Sequence, residues 1–230
     1  MFESIPKFTN NRRAADPASD ETRARLLSAA GEVFAERGYR AATIRDICNK
    51  ARANVAAVNY HFRDKEGLYA SVLHDSYKAA LEQYPPLLNT AKNAPAREQL
   101  EAFILSLLFR ILDEGRPAWH GKLMMRELAE PSSALASFVE QGVRPLFELL
   151  QKIVSDLLKE FGGGRRPSKE SVTRSACSVI GQCLFYKHAR PVFDRLAPGQ
   201  SYDRKSIEAL ANHIYQFSLA ALRSEARRSK

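Results

Sequence analysis

The side chains best placed to do chemistry crowd into one short stretch. Thr43 to Ala51 has the make-up of a two-turn helix, Arg52-Ala53 that of a tight turn, and Asn54 to Tyr60 that of a second helix with Val58 turned inward. Asn54, Ala56, Ala57, Asn59 and Tyr60 fill the outer face of that second helix, and none of them is acidic. The chemistry is recognition rather than bond-breaking. Amide and phenol groups hydrogen-bond base edges, and small side chains let the backbone approach a major groove ~12 Å wide. The arrangement is a helix-turn-helix whose second helix enters the groove.

Elsewhere, candidate chemistry dissolves on inspection. Cys48, Cys177 and Cys183 are widely spaced and odd in number, which fits no disulfide framework, and no His or Asp cluster flanks them for zinc. Cys48 reads as a small buried hydrophobe. Glu127 and Glu130 sit three apart on a helix, but Arg126 and solvent account for them better than an acid–base pair. No nucleophile–base pair, metal cluster or phosphate-binding glycine loop is present. No catalytic residue, cofactor or metal is expected.

The elements that position the recognition residues follow from helical periodicity. Leu26, Ala30, Val33 and Phe34 make one apolar face of a first helix that starts near Glu21, with Asp20 as its cap and Gly38 at its end. Thr43 caps the second helix, with Asp46 at the third position, and Ile44, Ile47, Cys48 and Ala51 form its buried stripe. Asn54 caps the third helix and Asp64 a fourth, which carries Leu68, Val72, Tyr77 and Leu81 and stops before Pro85-Pro86. Beyond it, Leu100, Phe103, Ile104, Leu107, Leu108 and Ile111 make a wide apolar stripe, Gly115 and Pro117 punctuate, and a segment from Ala118 to Glu130 follows. A long helix to Phe161 should kink near Gly142 because of Pro145. Gly162-Gly163-Gly164 is a loop. Two last helices flank a connection from Arg190 to Gln200. No strand is credible, so the fold class is all-α: a three-helix helix-turn-helix domain over 21–68 and a larger helical domain over 69–230, preceded by a flexible arm over 1–20 whose Arg12 and Arg13 are placed to touch DNA backbone.

Composition agrees without deciding. The 230 residues carry 35 Lys/Arg against 26 Asp/Glu, a net charge of +9 that points to a polyanionic partner. Residues 1–70 hold 12 Lys/Arg and 9 Asp/Glu, a surplus of only +3, so the excess is not concentrated in the reader. The first twenty residues lack an apolar leader segment, and the longest apolar stretch, Glu101 to Arg110, is far short of the ~20 residues that span a bilayer. A soluble, cytoplasmic protein without membrane association is expected.

From about Glu21 to Leu73 the chain resembles the TetR family of bacterial repressors. The resemblance rests on FAERGYRAAT, on the IRDI helix, and on the terminal run YHFRDKEGLY. It implies that Thr43, Tyr60, His61 and Lys65 contact phosphates, that Arg45, Asn54, Ala56 and Asn59 face the DNA and include the base readers, and that Phe62 is a core aromatic. Two positions depart from the family pattern. Arg52 stands where a turn glycine is usual, at a cost of about 1 kcal/mol if the backbone goes left-handed. Val58-Asn59 replaces a frequent Leu-Tyr pair. The run WHGKLMMRELAEPSSALASFVEQGVRPLFELL is similar to a CerR-type C-terminal domain, which implies effector binding and dimerisation.

Within that domain Phe103, Leu107, Trp119, His120, Met124, Phe147 and Phe185 are candidate walls of an apolar effector pocket. Val172, Ala176, Val179 and Cys183 recur at heptad-like spacing on one of the last helices, and Ile207, Leu210, Ile214 and Phe217 on the other. Pairing with a symmetry mate would bury both seams in a four-helix bundle. The expected protein is a homodimeric repressor that binds a palindromic double-stranded DNA operator and is released by a small molecule, through a shift of the linking helix from Asp64 to about Tyr84. Two other readings stay open: a helical, nucleoid-type protein that binds DNA without sequence preference, and a helical enzyme.

Overall fold

The computed structural model describes residues 17–112 and 119–228. Arg12, Arg13, Gly115 and Pro117 lie outside the described residues. Every described element is a helix, and the chain divides into two compact units, one ending at Val72 and the other starting at Leu73. That division falls four residues beyond the expected end of the reader at 68, inside the fourth helix.

In the first unit α1 (Pro17–Ala41), α2 (Ile44–Ala51) and α3 (Val55–Phe62) pack on one another, and α4 (Lys65–Gln83) begins. Leu26, Ala30, Val33 and Phe34 are buried, as their spacing requires, together with Ile47, Cys48, Ala51, Val58 and Phe62. Ile44 is only half-buried. α1 starts earlier than the pattern suggests, so Asp20 lies within its first turn instead of capping it. Gly38 breaks the helix with φ 79°, but one further turn follows as far as Ala41.

The second unit is a helical bundle of α5 (Ala96–Leu112), α8 (Arg144–Phe161), α9 (Lys169–His188) and α11 (Arg204–Arg228), each packed on the other three. Two shorter helices, α6 (Trp119–Ala129) and α7 (Ala134–Phe138), precede α8. The expected kink is a π-helical turn, Val139–Val143, and Pro145 then sits in the first turn of α8, where its missing N–H costs nothing. Gly142 within this turn has a packing reason: a Cβ there would lie 3.1 Å from the Tyr77 ring, whose hydroxyl donates to the Gly142 carbonyl at 3.0 Å. The connection after α9 holds a short helix, α10 (Arg190–Leu196), that periodicity alone did not suggest.

The two heptad-like seams require a correction. Val172, Ala176, Val179, Cys183, Ile207 and Ile214 are buried in the core of this one chain, and Leu210 packs against the same core. Phe217 alone of the eight points outward, at 61% exposed. The seven turn toward α5 and α8, which offer the nearest apolar surface and already cover them within this chain. The heptad spacing was sound evidence of a long packed seam, and no evidence of whose helix lay across it.

Candidate nucleic-acid interface and effector region

The helix-turn-helix is locked by local hydrogen bonds. Thr43 Oγ1 accepts from the Asp46 N–H at 3.1 Å, and the Asp46 carboxylate accepts from the Thr43 N–H at 3.3 Å, which completes a capping box. The Thr43 hydroxyl also donates to Asp46 at 2.7 Å, and Arg37 pairs with the same carboxylate at 2.8 Å. The Thr43 hydroxyl first, and the Arg37 guanidinium after it, hold the Asp46 carboxyl below the usual range. Arg52 is indeed left-handed (φ 50°, ψ 47°) and closes α2 with its N–H turned back on the helix. Ala53 N–H then donates to the Cys48 carbonyl at 3.0 Å, so a two-residue turn re-aims the chain. Asn54 Oδ1 caps α3 by accepting from the Ala57 N–H at 3.2 Å.

These caps set the outward face. Thr43, Arg45, Asn54, Ala56 and Asn59 are exposed, Tyr60 is 80% exposed, and His61 is half-buried with its ring edge-on to Tyr60 at 4.9 Å. Val58 and Phe62 point the other way, into the core. One helix therefore divides cleanly into a packing face and an accessible face free of carboxylates.

Lys65 is half-buried and already engaged. Its ammonium donates to the Arg40 carbonyl at 3.2 Å and lies 4.8 Å from the centre of the Tyr39 ring. It thereby satisfies a carbonyl in the last turn of α1 and ties the head of α4 to it. Three neighbours of this site escaped the sequence reading. Tyr39 lies between Lys65 and Tyr69, its ring tilted 46° to that of Tyr69 at 4.9 Å. Arg63 adopts φ 74°, ψ −53° between α3 and α4. At Gly67 a Cβ would fall 2.1 Å from the Phe62 carbonyl oxygen, while its N–H donates to the Asp64 carboxylate at 2.8 Å. The available signal for Gly67 was a glycine within the first turn of a helix, where alanine would otherwise be preferred.

The candidate pocket residues are not brought together as one wall. Phe103 is buried in the bundle core, with Leu107 and Phe147 packed against it. Trp119, His120 and Met124 lie half-buried on α6. There Trp119 stacks on His120 at 3.7 Å, and His120 Nδ1 stands 2.5 Å from Ser76 Oγ of α4. Phe185 is corrected outright: it is 50% exposed on the outer face of α9 and meets Tyr186 and Phe193 edge-on, so it is no interior wall. Glu127 is not solvated either. It is fully buried and accepts from the Ser132 N–H at 3.0 Å and hydroxyl at 2.9 Å. Among the described residues no helix is long and apolar enough to cross a membrane, and no cluster of side chains could hold a metal ion.

Comparison with known proteins places both units. Residues 26–72 match the family model of bacterial regulatory proteins of the tetR family, and residues 96–222 that of the C-terminal domain of the HTH-type transcriptional dual regulator CecR. The C-terminal resemblance is thus to CecR and not to CerR. The chain is 29% identical over 145 residues to the probable HTH-type transcriptional regulator YttP of Bacillus subtilis (63% of this chain, 66% of that protein). It is 28% identical over 153 residues to the dual regulator CecR of Shigella flexneri (63% and 68%). The matches span about two thirds of the length of these relatives. Among solved structures, a HlyIIR mutant superposes with a TM-score of 0.59 at 25% identity, covering 84% of this chain and 99% of that one. AibR in complex with isovaleryl coenzyme A and operator DNA shares the fold at 18% identity, with a TM-score of 0.63 and coverage of 85% and 98%. The family is one of DNA-binding regulators and not of enzymes. With one model on the capped reader and another over more than half of the chain, the protein belongs to the TetR family of transcriptional regulators and carries a CecR-type C-terminal domain.

Proposed function

We propose that the protein is a homodimeric repressor that reads a palindromic operator through α3 and is released by a small molecule bound in its C-terminal unit. The observation that carries the DNA reading is the division of α3, with Val58 and Phe62 buried and Asn54, Ala56, Asn59 and Tyr60 accessible. Arg45, Asn54, Ala56 and Asn59 serve base readout, and Thr43, Tyr60, His61 and Lys65 the phosphates. The engagement of Lys65 with Arg40 supports a fixed ammonium, placed before DNA arrives.

The partner copy covers the outer faces of α9 and α11, opposite the seams that the core consumes. Gln182 donates to Ser218 across the two helices at 3.2 Å, and around this level Cys177, Gly181, Phe185, Phe217, Ala220 and Ala221 are all exposed and uncharged. Interface cores are depleted of charge and rich in aromatics, and both features meet here. The effector is apolar or amphipathic and lies along Phe103, Leu107 and Phe147. It needs only to favour the unbound state, and a coupling of ~1–3 kcal/mol gives a 5–150-fold change in operator affinity.

Footprinting on the DNA upstream of its own gene tests the reading. A protected palindrome is expected, with affinity falling steeply as salt rises. Asn59→Ala should relax sequence choice, whereas Lys65→Ala should weaken binding to all sequences alike. Equal competition by shuffled DNA would overturn the repressor reading in favour of non-specific binding.

A further inference from the structure

Helix α4 runs unbroken from Lys65 to Gln83 and crosses the division of the chain between Val72 and Leu73. Its first turns belong to the reader, so whatever fixes its second half bears on the reader through one continuous helix. Ser76 and Tyr77 fix it. Ser76 is buried, and its Oγ lies 2.5 Å from His120 Nδ1 of α6. The Tyr77 ring packs edge-on against Phe138 of α7, with centroids 5.1 Å apart and planes at 83°. Its hydroxyl donates to the Gly142 carbonyl at 3.0 Å.

Gly142 lies inside the π-helical turn Val139–Val143, where the Arg144 N–H reaches back five residues to the Val139 carbonyl. Such turns are rare and recur at functional sites. This one is fitted to the tyrosine. A Cβ at residue 142 would stand 3.1 and 3.2 Å from two carbons of the Tyr77 ring, so any side chain there pushes the ring back. The contact is therefore specific on both sides: the hydroxyl needs a carbonyl, and the ring needs a glycine, from the same turn. One directional bond in a close-packed contact is either made or broken, which is what a two-state element requires.

We propose that the Tyr77–Gly142 contact is a latch through which the C-terminal unit holds α4 in the form that binds operator, and that opening it is the step that lowers operator affinity. This rests on the C-terminal unit controlling the reader through α4. With the latch closed, α4 is ordered before DNA arrives. With it open, the ordering cost falls on the DNA complex and affinity drops. Coupling is reciprocal, so operator binding in turn favours the closed latch. That change is felt on α6, where Trp119, the sole tryptophan, stacks on the His120 that meets Ser76.

Fluorescence anisotropy on the full-length protein tests the latch, with the DNA it protects upstream of its own gene as the probe. Tyr77→Phe keeps the ring and removes the hydroxyl, and it should bind about three- to tenfold more weakly, the range of one lost hydrogen bond. The salt slope should not change, because no phosphate contact is lost. Gly142→Ala should weaken binding to a similar degree, and the double variant should bind no more weakly than the worse single, since both break one contact. Thr173→Val removes a comparable bond that does not involve α4, from Gln151 at 3.0 Å, and should leave operator affinity at the parental value. Operator DNA should shift the Trp119 emission of the parent protein, and that shift should shrink in both latch variants. Melting curves check the fold of each variant, and should Tyr77→Phe melt early, the same readings on Gly142→Ala decide. Parental affinity in Tyr77→Phe overturns the inference. So does full additivity of the two substitutions, an equal loss in Thr173→Val, or a Trp119 response identical in parent and variants. A parent that binds operator beside unaffected variants refutes the latch alone, while a parent that binds none refutes the repressor reading and the latch with it.

Discussion

The reader and the bundle both consist of helices with regular apolar stripes, yet their outer faces were not equally predictable. In the reader, the stripe and the functional face are separated within one helix of eight residues: Val58 inward, Asn59 and Tyr60 outward. In the bundle, α9 and α11 carry an apolar stripe on the inner side and further uncharged positions, with Phe185 and Phe217, on the outer side. A helix with two sticky faces does not say which one is spent on its own chain. The difference teaches that periodicity identifies a buried face only when the opposite face is polar enough to exclude it.

Paired substitutions on α11 break or sharpen this contrast most strongly. Ile214 is 1% exposed and Phe217 61%. Ile214→Asp should place a charge in the core and unfold the C-terminal unit, at a cost of about 4 kcal/mol or more. Phe217→Asp should leave a folded protein that elutes as a monomer. Circular dichroism and size-exclusion chromatography separate the two. A folded monomer from Ile214→Asp would restore the seam as the interface.

Smaller effects are expected in the reader. Gly67→Ala sets a methyl against the Phe62 carbonyl and should cost about 1–3 kcal/mol in the melting of the helix-turn-helix, with operator affinity falling alongside. Alkaline titration should weaken the bundle in particular. Burial pushes both the Tyr77 hydroxyl and the Cys183 thiol up to about 12. The folded state therefore keeps protons that the unfolded chain releases. This contribution is complete below the groups' ordinary values, 9.0 for the thiol and 10.0 for the phenol, and is lost as pH rises through those values toward 12. Denaturant midpoints at pH 8 and 11 should show the loss, and Cys183→Ala should make it shallower. Arg52→Gly relieves a left-handed residue and should stabilise the reader by about 1 kcal/mol. Smallest of all, Asn59→Ala should leave the melting point within about 0.5 kcal/mol of the parent, as befits an exposed residue kept for recognition.

Much of the reader was legible because its determinants are local. Thr43 with Asp46, Asn54 with Ala57, and Asp64 with Gly67 are all three residues apart, so each cap can be read from a short window. The left-handed Arg52 was signalled only by the family resemblance, which puts a glycine at that turn. Gly67 was not, since its necessity arises from the path of the chain around Arg63, which brings the Phe62 carbonyl against it. In the bundle, helix type and a break near Gly142 followed from periodicity and proline, but its π-helical form and the fate of Glu127, Phe185 and the seams did not.

By itself, then, the sequence determined the helices, their caps, the exposed α3 face and the all-α class, because these depend on contacts within about four residues. Only the tertiary structure decided that the seams of α9 and α11 serve their own chain, that Phe185 and Phe217 face outward, and that Arg110 lies beside Tyr77 in the interior. Those outcomes turn on which helices meet, and apolar burial is non-directional: it rewards any covering surface and leaves the choice to the whole fold.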